Sequence, residues 1–378
     1  MPIDHVQLAT SNSPARQRLL IIVPIYASYR AFLKGLAEWL AERGWEVHVA
    51  TNLTGVEVDA DVAHFHHIDM PRGTDALRLF QAGRVLTKLI LEIQPTVVHA
   101  HFSVGMLCLA LAGRVKRVRY LGTFQGMRFP LAAGLSKWIF KIVECFSILR
   151  LDQSWVLTAD DYDAVPIFIR RKLSIQDGYG FGCDIDHFDP ARFSGFDRSA
   201  LRSELGIAEK DFVFTFVGRL TKFKGFPLTL EAFQQLRKER SDVSFLVVGE
   251  VDTQHPIDLP DLNLIPGVHH VGWQDDPAPY LAIANAMLFP SEREGMPVCM
   301  MEAIAMGLPV ITSAARGCVV LARLCNGVVV DPLSVESLAS SMLGAIEKSN
   351  ASEEALKLRA VLDRIEFYQT TKASYGSN

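Results

Sequence analysis

FPSEREGMPVCMMEAIAMGLPVI, residues Phe289–Ile311, decides how the rest of the chain reads. Met287, Leu288 and Phe289 are apolar and Pro290 closes them, as at the end of a buried strand. Ser291–Pro297 has the polarity of a loop. Val298–Met306 is rich in helix formers, and Gly307 and Pro309 follow in the order found at helix C-termini. Val310 and Ile311 begin another strand. The stretch is a strand–loop–helix–strand unit whose loop lies at the carboxyl end of a strand, where open α/β sheets bind ligands. Glu294 lies in that loop. Glu302 lies in the helix among Val298, Cys299, Met301, Ala303, Ile304, Ala305 and Met306. Burying a lone carboxylate is costly, so Glu302 either faces solvent or meets a polar ligand. The sharper reading is that both acids hold hydroxyls of a sugar or ribose.

A chain of 378 residues suits two domains, and 49% hydrophobic content is enough to fold them. A net charge of −4 argues against a general nucleic-acid binder. The six cysteines form no C-x-x-C pair, so they read as packed thiols in a reducing cytosol. No signal peptide is read at the N-terminus, and no apolar run reaches the roughly 20 residues needed to span a bilayer.

The N-terminal half opens with a predicted strand, Leu19–Val23, a helix, Arg30–Arg43, and a second strand, Glu46–Thr51. The turn between the first two lacks the Gly-x-Gly-x-x-Gly fingerprint of nicotinamide-binding domains. Thr96–Ala100 reads as a strand with His99 and His101 at its carboxyl end. His99 suits either the core or a ligand, and His101 is expected to reach an open face. Arg117–Thr123 is a strand ending in Phe124-Gln125-Gly126. Leu131–Leu151 interleaves Trp138, Ile139, Ile142 and Phe146 with Lys137, Lys141, Glu144 and Arg150. It is expected to pack on the sheet, with a bilayer interface as the alternative. Asp161-x-Asp163 and Asp184-x-Asp186 are spaced like metal pairs, but no metal is assigned. Gly178–Gly182 is a weak phosphate-loop candidate. Phe212–Val217 is a strand that exits through GRLTKFKG, Gly218–Gly225. Two cations and a glycine-opened backbone ahead of a helix can neutralise a diphosphate. From Ser349 to about Tyr368 the pattern is charged and helical, and the tail beyond is expected to fray.

Pro290, Ser291, Glu294, Gly295, Glu302, Ala303, Ala305, Gly307, Pro309 and Val310 together resemble the donor-binding signature of the retaining GT-B glycosyltransferases of family four. Gly218–Gly225 resembles that family's G-R-x-x-x-x-K-G, and Phe32–Leu40 resembles the subset that builds capsular and lipopolysaccharide sugars. The resemblance implies an α/β, GT-B protein of two Rossmann-like doubly wound domains facing across a cleft. Residues 1–190 would bind the acceptor, 191–360 the nucleotide sugar, and 361–378 would form a C-terminal helix and tail. Gly218, Arg219, Lys224, Glu294, Gly295, Met296, Pro297 and Glu302 would hold the donor, with Arg219, Lys224 and Glu294 catalytic. Glu302 would take the ribose. Arg30, His101 and Gln125 would lie on the acceptor side, although relatives usually carry His–Gly where this chain has Gln125-Gly126.

The same resemblance implies a nucleotide-sugar donor, with UDP favoured, and a glycan or polyprenyl-linked acceptor. It implies neither a cofactor nor a metal, and a cytoplasmic place with peripheral contact at the inner membrane. Two other readings stay open. One is a catalytically inactive nucleotide-sugar-binding protein on this fold, suggested by Gln125. The other is a different GT-B enzyme, such as an epimerase or phosphorylase.

Overall fold

The computed structural model describes residues 17–58, 62–71, 75–253, 255–347 and 359–376. Most of the stretch read as helical from Ser349 lies outside these residues. The chain divides into two compact units, Met1–Thr123 with Trp138–Ser154, and Phe124–Lys137 with Trp155–Asn378.

Two parallel sheets carry the fold. The first comprises β1 (Arg18–Ile25), β2 (Glu46–Asn52), β3 (His64–His67), β4 (Val97–His101), β5 (Arg119–Thr123), β6 (Gln153–Val156) and β7 (Leu173–Ile175), in the order β3-β2-β1-β4-β5-β6-β7. The second comprises β8 (Phe212–Val217), β9 (Val243–Val248), β10 (Val268–His270), β11 (Ala286–Phe289), β12 (Val310–Ser313) and β13 (Val328–Val330), in the order β10-β9-β8-β11-β12-β13. In each sheet the strand order runs to one side of the first strand and then switches to its other side, the Rossmann order. Leu19–Val23 and Val243–Val248 are buried along their whole length. Strands covered on both faces need no polar alternation, which is why they read as continuous apolar runs.

The helix expected over 30–43 is two pieces, Tyr26–Phe32 and Lys34–Ala41, separated at Leu33 where the backbone leaves helical geometry. His101 does not reach an open face. It has no exposed surface and lies tilted against His99 with ring centres 4.2 Å apart, and burial pushes its imidazole down to about 3. His99 is a core residue whose Nε2 lies 2.9 Å from the Thr123 hydroxyl. The tail is ordered further than composition suggests. A helix runs Arg364–Gly376 and buries Phe367, Tyr368, Thr371 and Tyr375.

The helix Gly134–Arg150 turns part of its apolar surface outward. Glu144, Cys145, Ser147 and Ile148 face inward, and Glu144 accepts a 2.7 Å hydrogen bond from the Ser103 hydroxyl. Trp138 is 62% exposed and Ile142 68%, and Leu135 and Ile139 are exposed beside them. Among the described residues no helix is long and apolar enough to cross a membrane.

Candidate active site

The second unit builds a site where the exits of β8, β9 and β11 meet. Parallel pairing continues beyond the strands: Gly218 N–H donates to the Val248 carbonyl at 3.0 Å and Leu220 N–H to the Glu250 carbonyl at 2.8 Å. The two exits are so close that a Cβ at Gly249 would stand 2.0 Å from the Gly218 oxygen. Gly225 has φ +76° and opens the helix Phe226–Glu239. A Cβ there would meet the Pro290 carbonyl at 2.2 Å. The GRLTKFKG loop therefore lies directly against the loop after β11. Ser291 ties the two together, its hydroxyl 3.0 Å from the Phe223 carbonyl and 2.9 Å from Glu294 Oε1.

This packing joins residues that are 70 positions apart. Lys224 Nζ donates to Glu294 Oε1, both side chains are mostly buried, and the ammonium stands 5.0 Å from the centre of the Phe289 ring. Arg219 is on the same loop but more open, and its Nη1 donates to Asp252. The N–H groups of Gly295 and Met296 have no protein acceptor among the described residues. Pro297 is the N-cap of the helix Val298–Ala305, and Gly307 (φ +80°) follows its end.

Glu302, about one turn into that helix, differs from the other acids. Among the described residues it has neither an ion-pair nor a hydrogen-bond partner. Burial pushes its carboxyl up to about 7, Asp276 pushes the same way, and Arg364 opposes them. A carboxyl held without a partner is suited to take up a pair of hydroxyls.

The turn Gln125-Gly126-Met127 packs on the other side of the Glu294 loop. A Cβ on Gly295 would meet the Gln125 carbonyl at 2.2 Å, and one on Gly317 would meet the Gly295 carbonyl at 1.7 Å. Gly180 (φ +60°) has the same relation to Met296 at 2.9 Å. Asp161 holds this arrangement together. Almost fully buried, it pairs with Arg316, just before Gly317, and accepts the Met127 N–H at 3.3 Å. Burial raises the Asp161 carboxyl and Arg316 opposes the rise. The Gln125 Nε2 amide is buried with no hydrogen-bond partner among the described residues.

Of the residues singled out in the sequence, Gly218, Arg219, Lys224, Glu294, Gly295, Met296 and Pro297 share these two loops, and Glu302 stands on the helix they feed. Gln125 also belongs to this unit. Arg30 and His101 belong to the other, Arg30 exposed in the last turn of Tyr26–Phe32 and His101 enclosed. Three of the four paired aspartates serve ion pairs: Asp161 with Arg316, Asp163 with Arg170 at 3.2 Å and Asp184 with Arg364 at 2.5 Å. Among the described residues no group of three or more His, Cys, Asp or Glu is arranged to hold a metal. Gly178–Gly182 packs on protein: a Cβ at Gly182 would meet the Arg364 backbone at 2.6 Å. Asp252, Arg316 and Gly317 escaped the sequence reading, since their partners are remote in the chain, and Gly180 reads there only as part of a weak phosphate loop.

Residues 31–153 match the family described as Glycosyltransferase Family 4, and residues 197–360 the one described as Glycosyl transferases group 1. The chain is 24% identical over 324 residues, 80% of each chain, to the capsular polysaccharide biosynthesis glycosyltransferase CapM of Staphylococcus aureus. It is 28% identical over 245 residues, 61% of each chain, to the UDP-Gal:alpha-D-GlcNAc-diphosphoundecaprenol alpha-1,3-galactosyltransferase of Escherichia coli. The structure of Alr3699/HepE from Anabaena in complex with UDP and glucose superposes with a TM-score of 0.74 at 17% identity, covering 96% of this chain and all of that one.

Proposed function

Since the chain belongs to the glycosyltransferases of family four, on the GT-B fold, we propose that it moves a hexose or N-acetylhexosamine from a UDP-sugar, with retention, to a lipid-linked or glycan acceptor in surface polysaccharide synthesis. The observation that carries this reading is the meeting of Lys224 with Glu294 beside Arg219, at the carboxyl ends of β8 and β11. Arg219 and Lys224 face the negative charge that grows on the departing diphosphate, the kind of stabilisation that is often the largest catalytic contribution. Glu302 takes the ribose hydroxyls. Glu294, with the open N–H groups of Gly295 and Met296, takes the hydroxyls of the transferred sugar.

Retention follows if the acceptor oxygen attacks from the face the diphosphate leaves, its proton passing to the departing phosphate oxygen. This route needs no protein nucleophile and no histidine at position 125. Charge neutralisation by Arg219 and Lys224 implies transfer that persists in EDTA. The polysaccharide context and the lipid-linked acceptor are supported by the names of the two curated relatives. The test of the donor is a thermal-shift panel of UDP-, GDP- and ADP-sugars. A ligand at 100 times its dissociation constant stabilises by roughly 2.7 kcal/mol, and only the UDP series is expected to do so. Stabilisation by GDP- or ADP-sugars alone would overturn the choice of base.

Contact with the cytoplasmic face of the inner membrane belongs to the same reading. Leu135, Trp138, Ile139 and Ile142 are exposed beside Lys137 and Lys141, with Lys141 Nζ 5.6 Å from the centre of the Trp138 ring. Apolar side chains flanked by lysines suit an anionic interface. Sedimentation with anionic vesicles at low salt, lost in Trp138→Ser/Ile142→Ser, is the expected result; no sedimentation of the wild type would remove this contact.

A further inference from the structure

The sequence names Arg219 as a phosphate ligand but says nothing of what aims it. Arginine's guanidinium sits at the end of a long side chain with several rotatable bonds, and unguided it spends little time in one orientation. In the structure it is guided. The register that joins the exits of β8 and β9, Leu220 against Val251, brings the loop after β9 alongside Arg219. Asp252, only 6% exposed in its side chain, receives Nη1 of Arg219, whose own side chain is 53% exposed. The carboxylate is thus rooted in the protein while the cation points outward. Two further groups hold the arrangement. The Phe223 ring lies 5.9 Å from the Arg219 guanidinium carbon. His255 Nδ1 lies 3.6 Å from Asp252 Oδ2, and its ring meets the Phe223 ring edge-on at 5.5 Å.

We propose that Asp252 is a positioning residue for the diphosphate. It occupies one arm of the Arg219 fork and leaves Nε and Nη2 to make a two-pronged contact with a phosphate. Guanidinium has five N–H donors, so binding Asp252 and a phosphate together requires no exchange of partners. Asp252 touches neither sugar nor phosphate; its effect passes through Arg219. This inference rests on the reading of Arg219 as a diphosphate ligand, and its test separates the two.

The test is a double-mutant cycle of Asp252→Asn and Arg219→Ala, read as calorimetric affinity for UDP, with uridine as control and with GDP and ADP run in parallel. Asp252→Asn keeps the shape and removes the charge. It is expected to weaken UDP on the order of 10-fold or more while leaving uridine unchanged. In the Arg219→Ala background the same substitution is expected to do nothing further, since the group it aims is gone. The double variant also relieves the buried carboxylate that Arg219→Ala leaves without its cation, so it is the better-folded form in which to measure. Equal losses from Asp252→Asn with and without Arg219, or a loss for uridine matching that for UDP, would make Asp252 a structural residue only and overturn the inference. If Arg219→Ala itself leaves all three diphosphates bound as before, the reading of Arg219 fails, and the inference with it.

Discussion

Lys224–Glu294 and Arg219–Asp252 are both cation–carboxylate pairs whose cations share one loop, yet they are opposite in construction. In the first, both partners are mostly buried, and Ser291 adds a hydrogen bond to the acid. In the second, only the acid is buried and the cation is half in solvent. A pair enclosed on both sides is costly to break, because the survivor is left charged and desolvated. A pair open on the cation side costs less to disturb and leaves donors for a ligand. Glu302 completes the comparison as an acid with no ion-pair partner among the described residues, and its carboxyl rises to about 7. One site therefore contains a locked pair, an aimed pair and a waiting acid.

The largest effect is expected at the locked pair. Lys224→Met strands Glu294 and should slow transfer about 100-fold or more. It should also cost about 3 kcal/mol of stability, as breaking a buried pair does. Transfer assays and urea unfolding read the two separately; a variant as stable as the wild type would mean the pair is less enclosed than its geometry shows.

Next comes the waiting acid. The folded chain keeps a proton on Glu302 that the unfolded chain loses, since its carboxyl is raised from 4.5 to about 7. Stability therefore falls as pH rises through that window, and the loss is complete above it. Glu302→Gln removes the fall, so at pH 8 it should be more stable than the wild type by about 1–3 kcal/mol while binding donor less well. A variant equally stable at pH 5 and pH 8 relative to wild type would show that Glu302 is solvated. The smallest effect is at the aimed pair. Asp252→Asn should change unfolding stability by less than about 1 kcal/mol, because Arg219 is already half in water. A loss as large as that of Lys224→Met would erase the distinction between the pairs.

Much of this was legible in the chain. Buried parallel strands announce themselves as apolar runs, and Arg219, Lys224, Glu294 and Glu302 stand out through the family resemblance of the segments that follow such runs. The supporting contacts could not. Asp161 is 155 residues from Arg316, and in the sequence it looked like half of a metal pair. Gly180 sits in a turn and Gly317 in the first turn of the helix Arg316–Leu324, and nothing in the sequence tells of the close approach of Met296 to the one and of Gly295 to the other. The helix Gly134–Arg150 had a readable period but not a readable direction. Glu144 turns inward onto the Ser103 hydroxyl and Ser147 bonds the Val143 carbonyl of its own helix, while the tryptophan stays outside. His101 followed a strand end correctly, yet its side chain turned into the core, where period-2 alternation gives no hint of depth.

The most direct test of the central claim is a crystal structure of the chain soaked with UDP. The account predicts diphosphate oxygens within hydrogen-bonding distance of Arg219 and Lys224, and ribose hydroxyls on Glu302. A diphosphate bound away from both cations, with Glu302 untouched, would contradict it.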